Sequence, residues 1–196
     1  YMPLDQVEEI VKANQDVIVI VDEAYIDFAG PSARELLSGY DNLLVVQTFS
    51  KSRSMAGVRI GFALGSPVLI KALNDVKYSY NSYTMNLTSI VMGAESVRDE
   101  AYIKETTDKI LATRERAKTR LRELGFTFPD SQANFIFASH PRVPACKLFE
   151  ALKEEQIYVR YFGGERLCDS LRISIGSDEE MDVLFAFLER YLKDFS

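Results

Sequence analysis

The spacing of apolar and polar positions changes period along this chain. Residues 4–14 put Leu4, Val7, Ile10 and Val11 on one side of a 3.6-residue repeat, which predicts a short amphipathic helix. Residues 17–21 are an unbroken β-branched run. That is the pattern of a strand covered on both faces, as in a parallel sheet between helix layers. The run stops at Asp22-Glu23-Ala24-Tyr25. A second apolar run, residues 43–46, stops before Thr48-Phe49-Ser50-Lys51, and residues 59–64 form a third short strand candidate. Ser66-Pro67 supplies a cap and a first helical position for a helix running toward Asp75. Residues 86–124 read as helical, and Gly125 ends that pattern. Beyond it the elements shorten. Strands are expected over residues 134–138, 157–161 and 171–175, and helices over 145–154 and 178–192, the last opened by a capping box from Ser177 to Glu180. The order predicts an α/β part, residues 1–99, followed by residues 100–196, a bridging helix and a small α+β domain.

Composition narrows the function classes. Twenty-three basic residues against 29 acidic ones give a net charge of −6, which disfavours nucleic acid and anionic membranes as partners. No apolar run approaches the ~20 residues of a membrane helix. Cys146 and Cys168 are too few for a disulfide scaffold, which makes a reducing cytoplasm the expected compartment. The single histidine, His140, excludes a multi-histidine site, and no metal is expected. His140 lies in the turn-like SHPRVP and reads as a surface loop residue; Cys146 reads as a small packed group. The charged run over residues 113–123 reads as a solvated helical face. The chain opens Tyr1-Met2-Pro3 without an initiator methionine or a signal-peptide pattern, and is expected to belong to something longer.

Candidate chemistry gathers at two strand ends, where open α/β sheets bind ligands. The first end carries Asp22 and Tyr25; the second carries Thr48, Ser50 and Lys51, with Arg59 eight residues after the lysine. A partly desolvated lysine loses its proton more easily than a surface lysine, so Lys51 is a candidate nucleophile toward a carbonyl cofactor. Hydroxyls and a guanidinium suit a dianionic phosphate ester. A carboxylate under a protonated ring nitrogen makes that ring an electron sink, and a phenol can sit beside a ring hydroxyl. Together these are the groups needed to hold pyridoxal 5′-phosphate. Glu23 reads as structural, pointing away from Asp22.

The segments VIVIVDEAYIDFAG and VVQTFSKSRSMAGVRIGFALG resemble the fold-type I pyridoxal-phosphate aminotransferases. The likeness continues through LIKALNDVKYSYNSYT, QANFIF, IYVRYF and LRISIG, and the last two strings are most similar to the histidinol-phosphate branch. The resemblance implies a partial large domain, a mostly parallel sheet flanked by helices, followed by a small α+β C-terminal domain. It implies that Lys51 bonds to the cofactor and moves a proton between substrate Cα and cofactor, that Asp22 pairs with the ring nitrogen, and that Tyr25 bonds the ring oxygen. Ser50 and Arg59, with Thr48 as a weaker candidate, would hold the cofactor phosphate. Arg160 and Arg172 would bind the substrate, since guanidinium pairs bidentately with both carboxylate and phosphate. The implied reaction is transamination between histidinol phosphate and 2-oxoglutarate in histidine biosynthesis, by a homodimer.

The family's N-terminal half supplies a small-residue turn at the phosphate, a stacking aromatic and an asparagine, and none has a counterpart here. The isolated chain is therefore expected to bind cofactor poorly, turn over little and expose apolar sheet edges. YSYNSY replaces the family's Pro-aromatic-Asn lead-in, which touches local loop contacts only. A nucleotide hydrolase is disfavoured, because the chain has no G-x-x-x-x-G-K-[ST] loop. A threonine-phosphate decarboxylase, an aromatic aminotransferase and a truncated dimerising module stay open at this point.

Overall fold

The computed structural model describes residues 1–195. Internal packing divides the chain into two units, Tyr1–Thr106 and the residues from Thr107 onward.

In the first unit, α1 (Leu4–Ala13) buries Val7 and Val11. They pack with Leu43 and Val45 of β2 (Leu43–Thr48) and with Val19 and Val21 of β1 (Val19–Asp22). β1 and β2 run parallel, Val19 opposite Leu43 and Asp22 opposite Val46. β3 (Gly61–Gly65) is antiparallel to β2 and completes the order β1-β2-β3. The expectation that residues 17–21 are covered on both faces does not hold. Ile18 and Ile20 are 56% and 62% exposed, because α1 covers one side only and successive side chains of a strand alternate. α2 (Pro67–Tyr80) outruns Asp75 by more than a turn and buries none of its residues. The helical stretch 86–124 is two helices, α3 (Leu87–Arg98) and α4 (Glu100–Glu123), parted at Asp99. The boundary between the units falls inside α4.

The second unit is a three-stranded antiparallel sheet in the order β4-β6-β5, with β4 Phe135–Ser139, β5 Arg160–Tyr161 and β6 Ser170–Ser174. Ile136, Ala138, Leu171 and Ile173 face the helices α4, α5 (Ala145–Glu154) and α6 (Asp178–Tyr191). Gly125 ends α4 at φ 85°, with Phe126 N–H donating to the Leu121 carbonyl at 2.9 Å and Gly125 N–H to Arg122 at 3.0 Å, a Schellman closure. The capping box from Ser177 to Glu180 forms at the start of α6. β5 is shorter than residues 157–161 suggest. Gln156, at φ 61°, closes α5 in the same Schellman manner, and Ile157 N–H is spent on the Leu152 carbonyl.

Residues 113–123 are not a wholly solvated face. Arg114 and Lys118 are 6% and 2% exposed. Lys118 Nζ lies 2.8 Å from Asp130 and 3.0 Å from Glu115, and Arg114 donates to the Ala133 carbonyl at 3.2 Å. Buried cations persist when paired in this way. Lys118 holds the Asp130 carboxyl below its ordinary range. Burial raises Glu115, but Lys118 and Arg114 outweigh it and the net shift is downward. His140 is also buried, not a surface residue. Its Nε2 lies 3.2 Å from the Leu124 carbonyl left open at the end of α4, its Nδ1 accepts from Arg142 N–H at 3.3 Å, and its ring meets Phe126 edge-on. Cys146 is exposed and free rather than packed.

Candidate functional site

Because β1 and β2 are parallel, Asp22 and Thr48 leave the sheet at the same end. Strand alternation separates the two neighbouring carboxylates. Glu23 turns inward and is buried, accepting from Ser32 Oγ at 2.6 Å, Ala33 N–H at 2.6 Å and Gln47 Nε2 at 2.7 Å. Asp22 turns outward to an exposed position, where one oxygen accepts Ala24 N–H at 3.0 Å. Tyr25 follows, half-buried. Lys51 is exposed, not partly desolvated as the strand-end position suggests, because its turn faces outward; its ammonium lies 5.2 Å from the centre of the Tyr25 ring. Among the described residues no carboxylate pairs with Lys51.

The loop from Phe49 to Ile60 owes its shape to its own side chains and to α3. Ser50 N–H donates to Thr48 Oγ1 at 3.1 Å, and that hydroxyl lies 2.9 Å from Ser50 Oγ and 3.2 Å from the Ile60 carbonyl. Thr48 therefore forms the turn that presents Ser50. Arg59, exposed and at φ 61°, gives one of its five N–H groups to the Ala56 carbonyl at 2.8 Å. Phe49, Met55 and Ile60 form a small buried cluster beneath the loop. One stripe of α3 supports it from behind: Ser89 Oγ donates to the Val58 carbonyl at 3.0 Å, Gly93 lies against Ile60 and Phe49, and the Ser96 carbonyl accepts from Arg53. Ser52, one residue beyond Lys51, donates its hydroxyl to Asp27. Asp27, Ser52 and Arg53 lie inside the segments that carry the family resemblance, but nothing in the sequence pairs them with their partners; the loop's ties through them and α3 become visible only in the fold.

In the second unit Arg160 and Arg172 are direct register partners across β5 and β6, so both guanidinium groups leave the same face. Phe135 and Phe137 of β4 share that face with Phe162. Arg172 lies 5.3 Å from the Phe135 ring centre and Arg160 5.4 Å from that of Phe162. Neither arginine pairs with a carboxylate among the described residues, and the buried Nε of Arg172 has no acceptor among them. Asp169 instead accepts the Ser170 hydroxyl at 2.8 Å. A cleft of about 450 Å³ bounded by Asp16, Ile18, Tyr40, Asn42 and Leu69 lies before the starts of β1 and β2, at the other end of the sheet, and holds none of these groups.

The sequence pattern of the family described as Aminotransferase class I and II matches residues 1–188. The chain belongs to that family. Among its aminotransferase relatives, the histidinol-phosphate aminotransferase of Brachyspira hyodysenteriae is 51% identical over 98% of the chain and 55% of its own length. That of Lactococcus lactis subsp. cremoris is 49% identical over 97% of the chain and 54% of its own length. The crystal structure of histidinol-phosphate aminotransferase from Sinorhizobium meliloti, solved with pyridoxal-5′-phosphate, superposes with a TM-score of 0.85 at 26% identity, over 100% of this chain and 54% of that one. The chain thus spans about half the length of the aminotransferases it matches. No helix among the described residues is long and apolar enough to cross a membrane.

Proposed function

We propose that this chain contributes the lysine-bearing part of an enzyme that transfers an amino group between histidinol phosphate and 2-oxoglutarate, using pyridoxal phosphate, in histidine biosynthesis. The observation that carries the reading is the position of Lys51: an amine without a carboxylate partner among the described residues, over the Tyr25 ring, at the sheet end that Asp22 shares. The donor set fits the cofactor chemically. Ser50 and Arg59 offer a hydroxyl and a cation for its phosphate, Asp22 a carboxylate for its ring nitrogen, Tyr25 a phenol for its ring oxygen and Lys51 an amine for its aldehyde. Thr48 contributes through the turn that presents Ser50. When bound, the cofactor supplies an electron sink for the charge that develops at substrate Cα. Lys51 then gives and takes the proton at that carbon, and Asp22 keeps the ring nitrogen protonated.

The substrate class is supported by the relatives and by the arginine pair. Like charges directly opposite on a sheet repel, and an anion between them offsets the repulsion. Arg160 and Arg172 would serve glutamate's carboxylate and histidinol phosphate's phosphate in turn, the unpartnered Nε of Arg172 being one donor. The complete enzyme would be a cytoplasmic homodimer. The 196-residue chain alone would hold cofactor weakly and turn over little, in keeping with the exposure of Ile18, Ile20 and Val76.

The test is co-expression of this chain with the part of the Brachyspira relative that it does not cover. Glutamate formation from 2-oxoglutarate is then assayed with histidinol phosphate or phenylalanine as donor. Histidinol phosphate should be preferred by roughly tenfold or more in kcat/KM, about 1.4 kcal/mol. Lys51→Ala should abolish turnover, and Arg172→Ala should lower kcat/KM for the phosphate-bearing donor. A preference for phenylalanine, or an active Lys51→Ala protein, would sink the reading.

A further inference from the structure

The turn that carries Lys51 is anchored through its neighbours. Ser54 N–H donates to the Lys51 carbonyl at 3.1 Å, and Ser54 leaves the turn at φ 54°. A non-glycine residue in that region is strained and persists only where its surroundings hold it. The two inner residues of the turn are both tied by side chains. Arg53 reaches the Ser96 carbonyl of α3. Ser52, 6% exposed, donates its hydroxyl to a carboxylate oxygen of Asp27. Of these two ties only the second reaches the segment that carries Asp22 and Tyr25. Asp27 stands two residues past Tyr25 and Ser52 one residue past Lys51, so this hydrogen bond spans the same gap as the approach of the Lys51 ammonium to the Tyr25 ring.

We infer that Asp27 and Ser52 form a latch that positions the Lys51 amine over Tyr25. They are positioning residues, acting through the turn and not on a reactant. The bond is charge-assisted, and the buried Ser52 hydroxyl has little water to replace its acceptor, so loss of Asp27 forces the turn to rearrange. What the placed amine then does rests on the proposed function; the latch itself is a property of this chain.

The experiment uses the 196-residue chain and the variants Ser52→Ala, Ser52→Thr, Asp27→Ala and the double alanine, with two readouts. The first needs no cofactor. Protons above an aromatic ring are shielded by its ring current, so the Lys51 ε-methylene signal, assigned by its loss in Lys51→Arg, should lie upfield of the other lysines except Lys77, whose amine lies 5.1 Å from the Tyr78 ring centre and whose signal should not respond to the variants. Ser52→Ala and Asp27→Ala should each return it to the ordinary lysine position, the double variant should move it no further, and Ser52→Thr, which keeps the hydroxyl, should preserve it. An unmoved signal in both single alanine variants, or no upfield signal in the unmodified chain, overturns the latch. The second readout is borohydride-fixed pyridoxal phosphate on Lys51 relative to exposed Lys153, counted by peptide mass spectrometry. The ratio should fall about tenfold in either alanine variant, as for loss of one charge-assisted bond, and recover in Ser52→Thr. A ratio that holds in both alanine variants overturns the latch. An unmodified chain without preference for Lys51, whose upfield signal still responds to the variants, upholds the latch and assigns the weak hold on cofactor to the groups this chain does not supply.

Discussion

Asp22 and Glu23 are adjacent carboxylates with opposite surroundings, and their removal should have opposite consequences. Glu23→Ala takes the acceptor from three donors at 2.6, 2.6 and 2.7 Å. The Ala33 N–H has no alternative, since Ala33 is 1% exposed. An unsatisfied buried amide costs about 1–3 kcal/mol, and each hydrogen bond to a charged group contributes about 1.5–3 kcal/mol. Ser32 and Gln47 are only half-buried and can turn toward water, which limits the total to roughly 3–5 kcal/mol. That is a large share of the ~5–15 kcal/mol that holds a typical domain folded. Glu23→Gln keeps one acceptor oxygen but sets an NH2 against a donor, so roughly 1–3 kcal/mol is expected. Asp22→Ala, at an exposed position with one backbone partner, should cost about 0.5 kcal/mol or less while removing the carboxylate proposed for the cofactor. The assay is urea unfolding at constant m-value, with hydrogen exchange of the Ala33 amide as a probe local to the first unit. If Glu23→Ala loses less than about 1 kcal/mol, or Asp22→Ala loses as much as Glu23→Ala, the division of labour argued from strand alternation is wrong.

Three further outcomes are expected. Burial holds the His140 imidazole below its ordinary value, the Leu124 carbonyl opposing this only in part. The folded chain therefore binds fewer protons than the unfolded one just below pH ~6.5, so His140's contribution is complete above that value and is lost as pH falls through the folded-state pKa; the C2 proton of this single histidine should titrate below 6.5, and a midpoint at or above it refutes the assignment. Asp130→Ala should cost about 1–2 kcal/mol by thermal melting, discounted for solvent on the carboxylate side and for the remaining partner Glu115, whereas Lys118→Met, which fills the same space without charge, should cost less. The Asp130 pairing stabilises above the ordinary carboxylate range and is lost as pH falls through its lowered pKa, so the Asp130→Ala deficit should vanish in acid. Gly93→Ala places a Cβ 2.7 Å from Ile60 Cδ1, and a helix-propensity gain of about 1 kcal/mol opposes an overpacking cost of about 1–3 kcal/mol, so the melting temperature should stay level or fall; a rise worth the full propensity gain would show that α3 does not press on the loop.

Much of the fold was legible because burial has a period. The two apolar runs, residues 17–21 and 43–46, became β1 and β2, the α5 interval matched residue for residue, and Ser177 and Glu180 announced the start of α6. The failures share one cause, which is that a residue's local look does not reveal who meets it. Lys118 reads as solvent-facing until Asp130, beyond the end of the helix, comes back to it. His140 reads as a loop residue until the open carbonyl at Leu124 needs a donor. Gln156 does a glycine's work at positive φ, so Ile157, which reads as strand, belongs to the closure of α5.

The candidate site divides the same way, and the division has a physical basis. Groups that would touch a ligand must keep some hydrogen-bonding or charge capacity in hand, so Lys51, Arg160 and Arg172 could be picked out as polar side chains at strand ends and strand positions where no local ion pair was required. Groups that aim them must be satisfied internally, by partners distant in sequence. Ser52 needs Asp27, Arg53 needs Ser96, and Glu23 needs Ser32, Ala33 and Gln47. A single sequence displays the first kind as an anomaly and hides the second kind among ordinary serines and carboxylates. Glu23 shows the limit of the rule. Its inward turn follows from period-two alternation next to Asp22, but the three donors that hold it become visible only when the 32–33 turn is folded against β2.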